Sequence, residues 1–121
     1  MKIITQLVIF SLLFLSSYAS TEPVMSLITV NTDDTAGYRD WAKGSSEAIA
    51  KTNGASAVGL CLPRIGAEEM GDLYFWSLFD SNETAWKTDP NNPAIAKEVA
   101  KVQVTRTIRD WDNYRVARLA S

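Results

Sequence analysis

The stretch Asp72-Leu73-Tyr74-Phe75-Trp76-Ser77-Leu78-Phe79-Asp80 decides the fold, together with the Ser81-Asn82-Glu83-Thr84 that follows it. Side chains alternate across a strand, so Tyr74, Trp76 and Leu78 share one face, while Leu73, Phe75, Ser77 and Phe79 share the other. Both faces are apolar, which predicts a strand in the middle of a sheet, covered on each side. Ser81 or Asn82 then caps a helix whose first turn is Asn82-Glu83-Thr84-Ala85-Trp86. A central strand thus runs straight into a helix, and its partners must lie on either side of it in the chain.

Working upstream, Arg64 to Gly71 is a polar loop, and Ala57 to Pro63 alternates as a strand. Val58, Leu60 and Leu62 point one way; Ala57, Gly59 and Cys61 give the other face only small side chains. Pro63 cannot donate to a ladder, so this strand belongs at a sheet edge. Before it, Asp33, Asp34 and Thr35 open a helix that carries Tyr38, Trp41, Ala42, Ala48 and Ile49 and stops at Asn53-Gly54. Gly44-Ser45-Ser46 interrupts that helix and leaves its continuity open. Val24 to Thr32 is a further alternating strand, with Met25, Leu27 and Thr29 opposite Ile28 and Val30. Downstream, Asp89-Pro90-Asn91-Asn92-Pro93 breaks the second helix, and Ile95, Val99 and Val102 resume a helical stripe. A last strand is predicted over Val104 to Leu119, bulged or broken around Trp111-Asp112-Asn113.

The order β-α-β-β-α-β is that of an α+β, ferredoxin-like sandwich: a four-stranded antiparallel sheet with both helices on one face. Strand order 4-1-3-2 puts the Pro63 strand at an edge and the aromatic strand inside. The helices cover one face only. The aromatics on the other face call for a second cover, and a twin subunit is the simplest one, giving a homodimer through the sheet face.

Met1 to Ala19 has the pattern of a signal peptide: Lys2, an apolar run from Ile3 to Leu15, and small residues around Tyr18. That run is shorter than the roughly 20 residues of a membrane span. The expected mature chain is one domain over residues 20–121, exported to a periplasm or secreted, with no membrane attachment after cleavage. The net charge is −2 with acidic and basic residues interspersed, which disfavours a nucleic-acid partner. There is one cysteine, Cys61, so no internal disulfide forms, and among its small neighbours it reads as a buried, inert thiol. Histidine is absent, which removes imidazole acid–base chemistry and His metal ligands. No metal site and no cofactor are expected.

The passage Tyr74-Phe75-Trp76-Ser77 to Asp80-Ser81-Asn82-Glu83-Thr84-Ala85-Trp86 resembles the strand-to-helix passage of dimeric α/β-barrel proteins, nearest in look to antibiotic-biosynthesis-type monooxygenases and their haem-degrading relatives. The resemblance implies a dimeric α/β barrel and a cavity for polycyclic aromatics, quinones or haem. It makes Trp76 the strand tryptophan and Asn31 a polar group near substrate. A helical histidine used in that family has no counterpart here, where Trp86 stands near its place. The chemistry the resemblance leaves is cofactor-free oxygenation of a phenol or quinol, whose own electrons reduce the oxygen.

Asn31, Tyr74, Trp76, Trp86 and Trp111 are therefore the candidate ligand-binding residues, and no catalytic residue is assigned. As ordinary structure, Trp76 would be core or interface, Trp41 and Trp86 helix residues packed on the sheet, and Asn31 a strand-end residue. Glu68 and Glu69 read as solvated loop carboxylates. Asp110 and Asp112 share a face if extended; Arg106, Arg109, Arg115 and Arg118 offer either an anion-binding edge or, since their spacing mixes both faces, a solvated or salt-bridged rim, and the rim is the expectation. Two functions from different classes follow. The first is a small-molecule-binding or interaction protein without chemistry of its own, taking a small aromatic ligand. The second is a cofactor-independent monooxygenase-like enzyme acting on an aromatic or quinol substrate.

Overall fold

The structure is a computed structural model that describes residues 22–89 and 91–117. The signal-peptide pattern and Arg118 lie outside the described residues. In order, the elements are β1 (Val24–Thr32), α1 (Thr35–Asn53), β2 (Ala57–Cys61), β3 (Asp72–Phe79), α2 (Asn82–Trp86), α3 (Pro93–Val99) and β4 (Arg106–Arg115). The four strands form one antiparallel sheet in the order β2-β3-β1-β4, as the alternation and Pro63 require.

Local chemistry accounts for the element ends. Asp34 caps α1 by accepting from the Gly37 N–H, and Gly54 ends it in the left-handed conformation, at φ 73°, that glycine adopts without strain. The helix runs unbroken through Gly44-Ser45-Ser46, because Gly44 faces open space while Ser45 turns inward with Tyr38, Ala42 and Ile49. Ser81 caps α2 through the Thr84 N–H, and Asn92 caps α3 with Pro93 in its first turn.

The core lies between the sheet and the helices. Leu73 and Val30, the most deeply buried side chains, pack with Tyr38, and Ile28, Trp41, Leu60, Val102 and Val104 surround them. On the same face Val24, Phe75 and Phe79 are buried. Trp41 ties α1 to α3 by donating its indole N–H to the Glu98 carbonyl at 2.9 Å.

β4 departs from the sequence expectation in length and in the place of its irregularity. It spans Arg106–Arg115, and Trp111-Asp112-Asn113 pairs regularly with Ile28, Leu27 and Ser26. The register shifts earlier, between Thr29↔Asp110 and Val30↔Ile108, so Arg109 is the bulged residue. The extra residue inverts the alternation, putting Arg106, Ile108, Trp111 and Asn113 on the helix side of the sheet, where Ile108 and Trp111 stay partly open to solvent at the β4 edge.

That bulge serves an ion cluster on the open face. Arg109 reaches Asp72 at 3.0 Å, Glu68 at 3.0 Å and Glu69 at 3.1 Å. Glu68 and Glu69 are therefore not merely solvated; they fasten the β2–β3 loop to β4. Asp72 also accepts from the Asn31 amide and the Glu69 N–H, each at 2.9 Å. The Asn31 and Glu69 donors and the Arg109 guanidinium hold its carboxyl below the ordinary carboxylate range, against the effect of burial.

Two further expectations are corrected. Cys61 is exposed, because it ends an edge strand and no described residue covers it on that face. Trp86 is 75 % exposed rather than packed on the sheet: it ends the five-residue α2, none of whose residues is buried.

Candidate functional site

A serine pair under the helices opens the site. Along the covered face, β1 reads Val24, Ser26, Ile28, Val30 and β3 reads Leu73, Phe75, Ser77, Phe79. Ser26 and Ser77 are direct cross-strand partners in the two central strands. Where the pattern would place two large apolar groups, the chain has two short ones. Thr88, in the connection between α2 and α3, lies on the same lining as the two serines. Together they border a cavity of about 260 Å³ between sheet and helices.

Its walls are apolar and aromatic: Ile28, Phe75 and Phe79 from the sheet, Tyr38, Trp41 and Ile49 from α1, Ile95 and Val99 from α3, and Ile108 and Trp111 from β4. Trp111 is held across the sheet by its indole N–H, which donates to the Ser26 hydroxyl at 2.7 Å. The Tyr38 and Trp41 rings lie 5.1 Å apart and tilted at 59°, an arrangement aromatic pairs favour.

Polar groups are few and distinct. Asn53 and Thr88 line the cavity, and the Thr88 hydroxyl is buried with no hydrogen-bond partner among the described residues. Arg106 lines it with Tyr38. Burial raises the Tyr38 phenol above its ordinary range, an effect partly offset by the Arg106 charge. The phenol therefore stays protonated as a donor. These groups can bind and orient a ligand. Among the described residues no cluster of three or more His, Cys, Asp or Glu could hold a metal.

The structure separates the five sequence candidates. Trp111 lines the cavity. Asn31, Tyr74 and Trp76 stand on the opposite, open face of the sheet, and Trp86 projects from the end of α2. Asn31 spends its amide on Asp72 and on the Met70 carbonyl, 3.0 Å away. Trp76 lies against Gly59 of the edge strand so closely that a Cβ there would come within 2.7 Å of its indole nitrogen. Tyr38, Arg106, Ser26, Ser77 and Thr88 were not among the candidates. The signal for the serines was present: small polar residues at covered positions of two central strands.

No protein-family model matches the sequence, and no curated protein sequence matches it. Among solved structures, a conserved protein of unknown function from Bacteroides thetaiotaomicron VPI-5482, described as a possible oxidoreductase, is similar over 80 % of this chain and 100 % of its own, with a TM-score of 0.53 and 11 % identity. At that identity the likeness is one of fold: a small α+β chain built on a four-stranded antiparallel sheet.

Proposed function

We propose that the protein is an exported small-molecule binder of the dimeric α/β-barrel type, holding a compact aromatic ligand between its sheet and helices. The observation that carries this reading is the aromatic-walled cavity with, on its lining, the Thr88 hydroxyl that has no partner among the described residues. A buried hydroxyl without a partner costs about 1–3 kcal/mol, which a ligand acceptor or donor offsets. At about 260 Å³ the space suits one or two fused rings rather than a porphyrin, since small-molecule sites extend to roughly 1,000 Å³. Export rests on the pattern of residues 1–19. A second copy is the proposed cover for the open face, where Met25, Leu27, Tyr74, Trp76 and Leu78 are only half-buried.

Fluorescence titration with quinones, phenols and haem tests the reading. Small quinones and phenols should quench saturably, and Trp41→Phe and Trp111→Phe should each remove part of the signal. Absence of quenching by all of them refutes the binding site. Light scattering should give twice the chain mass, and a monomer mass refutes the dimer.

The second reading is a cofactor-independent monooxygenase-like enzyme, favoured by the neighbour's description as a possible oxidoreductase and by the Tyr38–Arg106 pair beside an aromatic cavity. Oxygen uptake stoichiometric with a bound quinol supports it; binding without uptake leaves the first reading.

A further inference from the structure

The half-buried arginines among the described residues are Arg39, Arg106 and Arg109. Arg39 pairs with Asp40, and Arg109 with Asp72, Glu68 and Glu69. Arg106 has no carboxylate within 4 Å among the described residues, and its side chain lines the cavity beside Tyr38. A guanidinium is never deprotonated at physiological pH, so this charge is permanent. Taking an unpaired charge partly out of water is unfavourable, and an anion in the cavity relieves that cost. Tyr38 adds an O–H donor within the same region of the wall, and it stays protonated because burial disfavours its anion.

We infer that the cavity selects aromatic anions, a phenolate or carboxylate oxygen lying on the Arg106 guanidinium and the Tyr38 hydroxyl while the ring packs among Trp41, Phe75 and Trp111. This rests on the cavity being a binding site, and adds the charge of the ligand and the two residues that read it. Position explains the pairing: Arg106 opens β4 opposite Thr32, and Tyr38 lies in the first turns of α1, which packs at the Val30 and Leu73 end of the sheet. The bulge at Arg109 lies between Ile108 and Asp110, so Arg106 and Trp111, five positions apart, reach the same covered face. The anionic head is placed at one end of the cavity, and Trp111, opposite Ile28, further along it.

The test uses protein purified after expression of the full chain and three probes of one shape: 2-naphthoate, 2-naphthol and neutral 2-naphthylmethanol. Titrations run at pH 7 and at pH 10, where the naphthol is ionised and the carboxylate is unchanged. Naphthoate should bind about tenfold or more tighter than the neutral alcohol at pH 7, the scale of one charge-assisted hydrogen bond in a partly buried site. Naphthol tightening at pH 10 with naphthoate constant identifies phenolates as ligands; naphthol unchanged restricts the class to carboxylates. In Arg106→Gln the preference for naphthoate over the alcohol should shrink to near unity, and Arg106→Lys should restore part of it. Equal binding of alcohol and naphthoate overturns this inference and leaves the cavity reading standing. No binding by any probe overturns both. Should Arg106→Gln fail to fold, the comparison of probes in the unaltered protein decides the matter alone.

Discussion

Replacing Ser77 by valine separates a binding cavity from a tightly packed core. Ser77 is 8 % exposed, lies between Phe75 and Phe79 on a central strand, and faces the cavity opposite Ser26. Valine puts two methyl groups in place of one hydroxyl, and there is room for them. At about 0.8 kcal/mol for each buried carbon, the variant gains about 1.5 kcal/mol, and the β-branched side chain suits a strand. For a domain of this size that is a rise in Tm of about 6–12 °C. The same atoms occupy space a ligand needs, so affinity for a bound quinone or phenol should fall by about tenfold or more. The assay is a thermal melt by circular dichroism paired with the fluorescence titration. A more stable protein that binds worse is the expected result. A lower Tm refutes the reasoning, because it means the added methyl groups meet packed neighbours. Higher stability with undiminished affinity would place the ligand elsewhere.

Three more outcomes follow from other contacts. Gly59→Ala drives a Cβ into the Trp76 ring, should cost about 1–3 kcal/mol by overpacking, and should shift tryptophan emission; an unchanged melt and spectrum rule out the close contact. Arg109→Ala releases Glu68, Glu69 and Asp72 together, so trypsin should cut after Arg64 in the loosened loop faster than in the parent, and equal rates count against the clamp. The Asp72 carboxyl titrates below its ordinary value in the folded state, so its stabilisation is complete above the unfolded carboxyl's pKa of about 3.9 and is lost as the pH falls through the lower folded value. Asp72→Asn should therefore flatten the acid limb of a stability–pH curve, and an acid limb as steep as the parent's refutes the assignment.

Periodicity and punctuation in the sequence were sufficient for the architecture. The two apolar faces of β3, the alternation of β1, Pro63 beyond β2 and the helix starts at Asp34 and Ser81 each act within a few residues. Local sterics and hydrogen bonding decide them, and together they leave one strand order. What the sequence could not order was the function of the faces. Trp76 and Asn31 were candidates through the family resemblance, yet which face of the sheet the helices cover is a long-range outcome, and it puts both residues opposite the cavity. The bulge at Arg109 likewise goes with ion pairs to Asp72, Glu68 and Glu69, distant in the chain, and it reverses which β4 side chains lie on the helix side. Arg106 became a cavity residue rather than a rim residue for that reason. The cavity itself is lined by Ser26 and Ser77, far apart in sequence, which meet across the two central strands. Short-range physics wrote the elements; only the packing of distant segments could make an empty space among them.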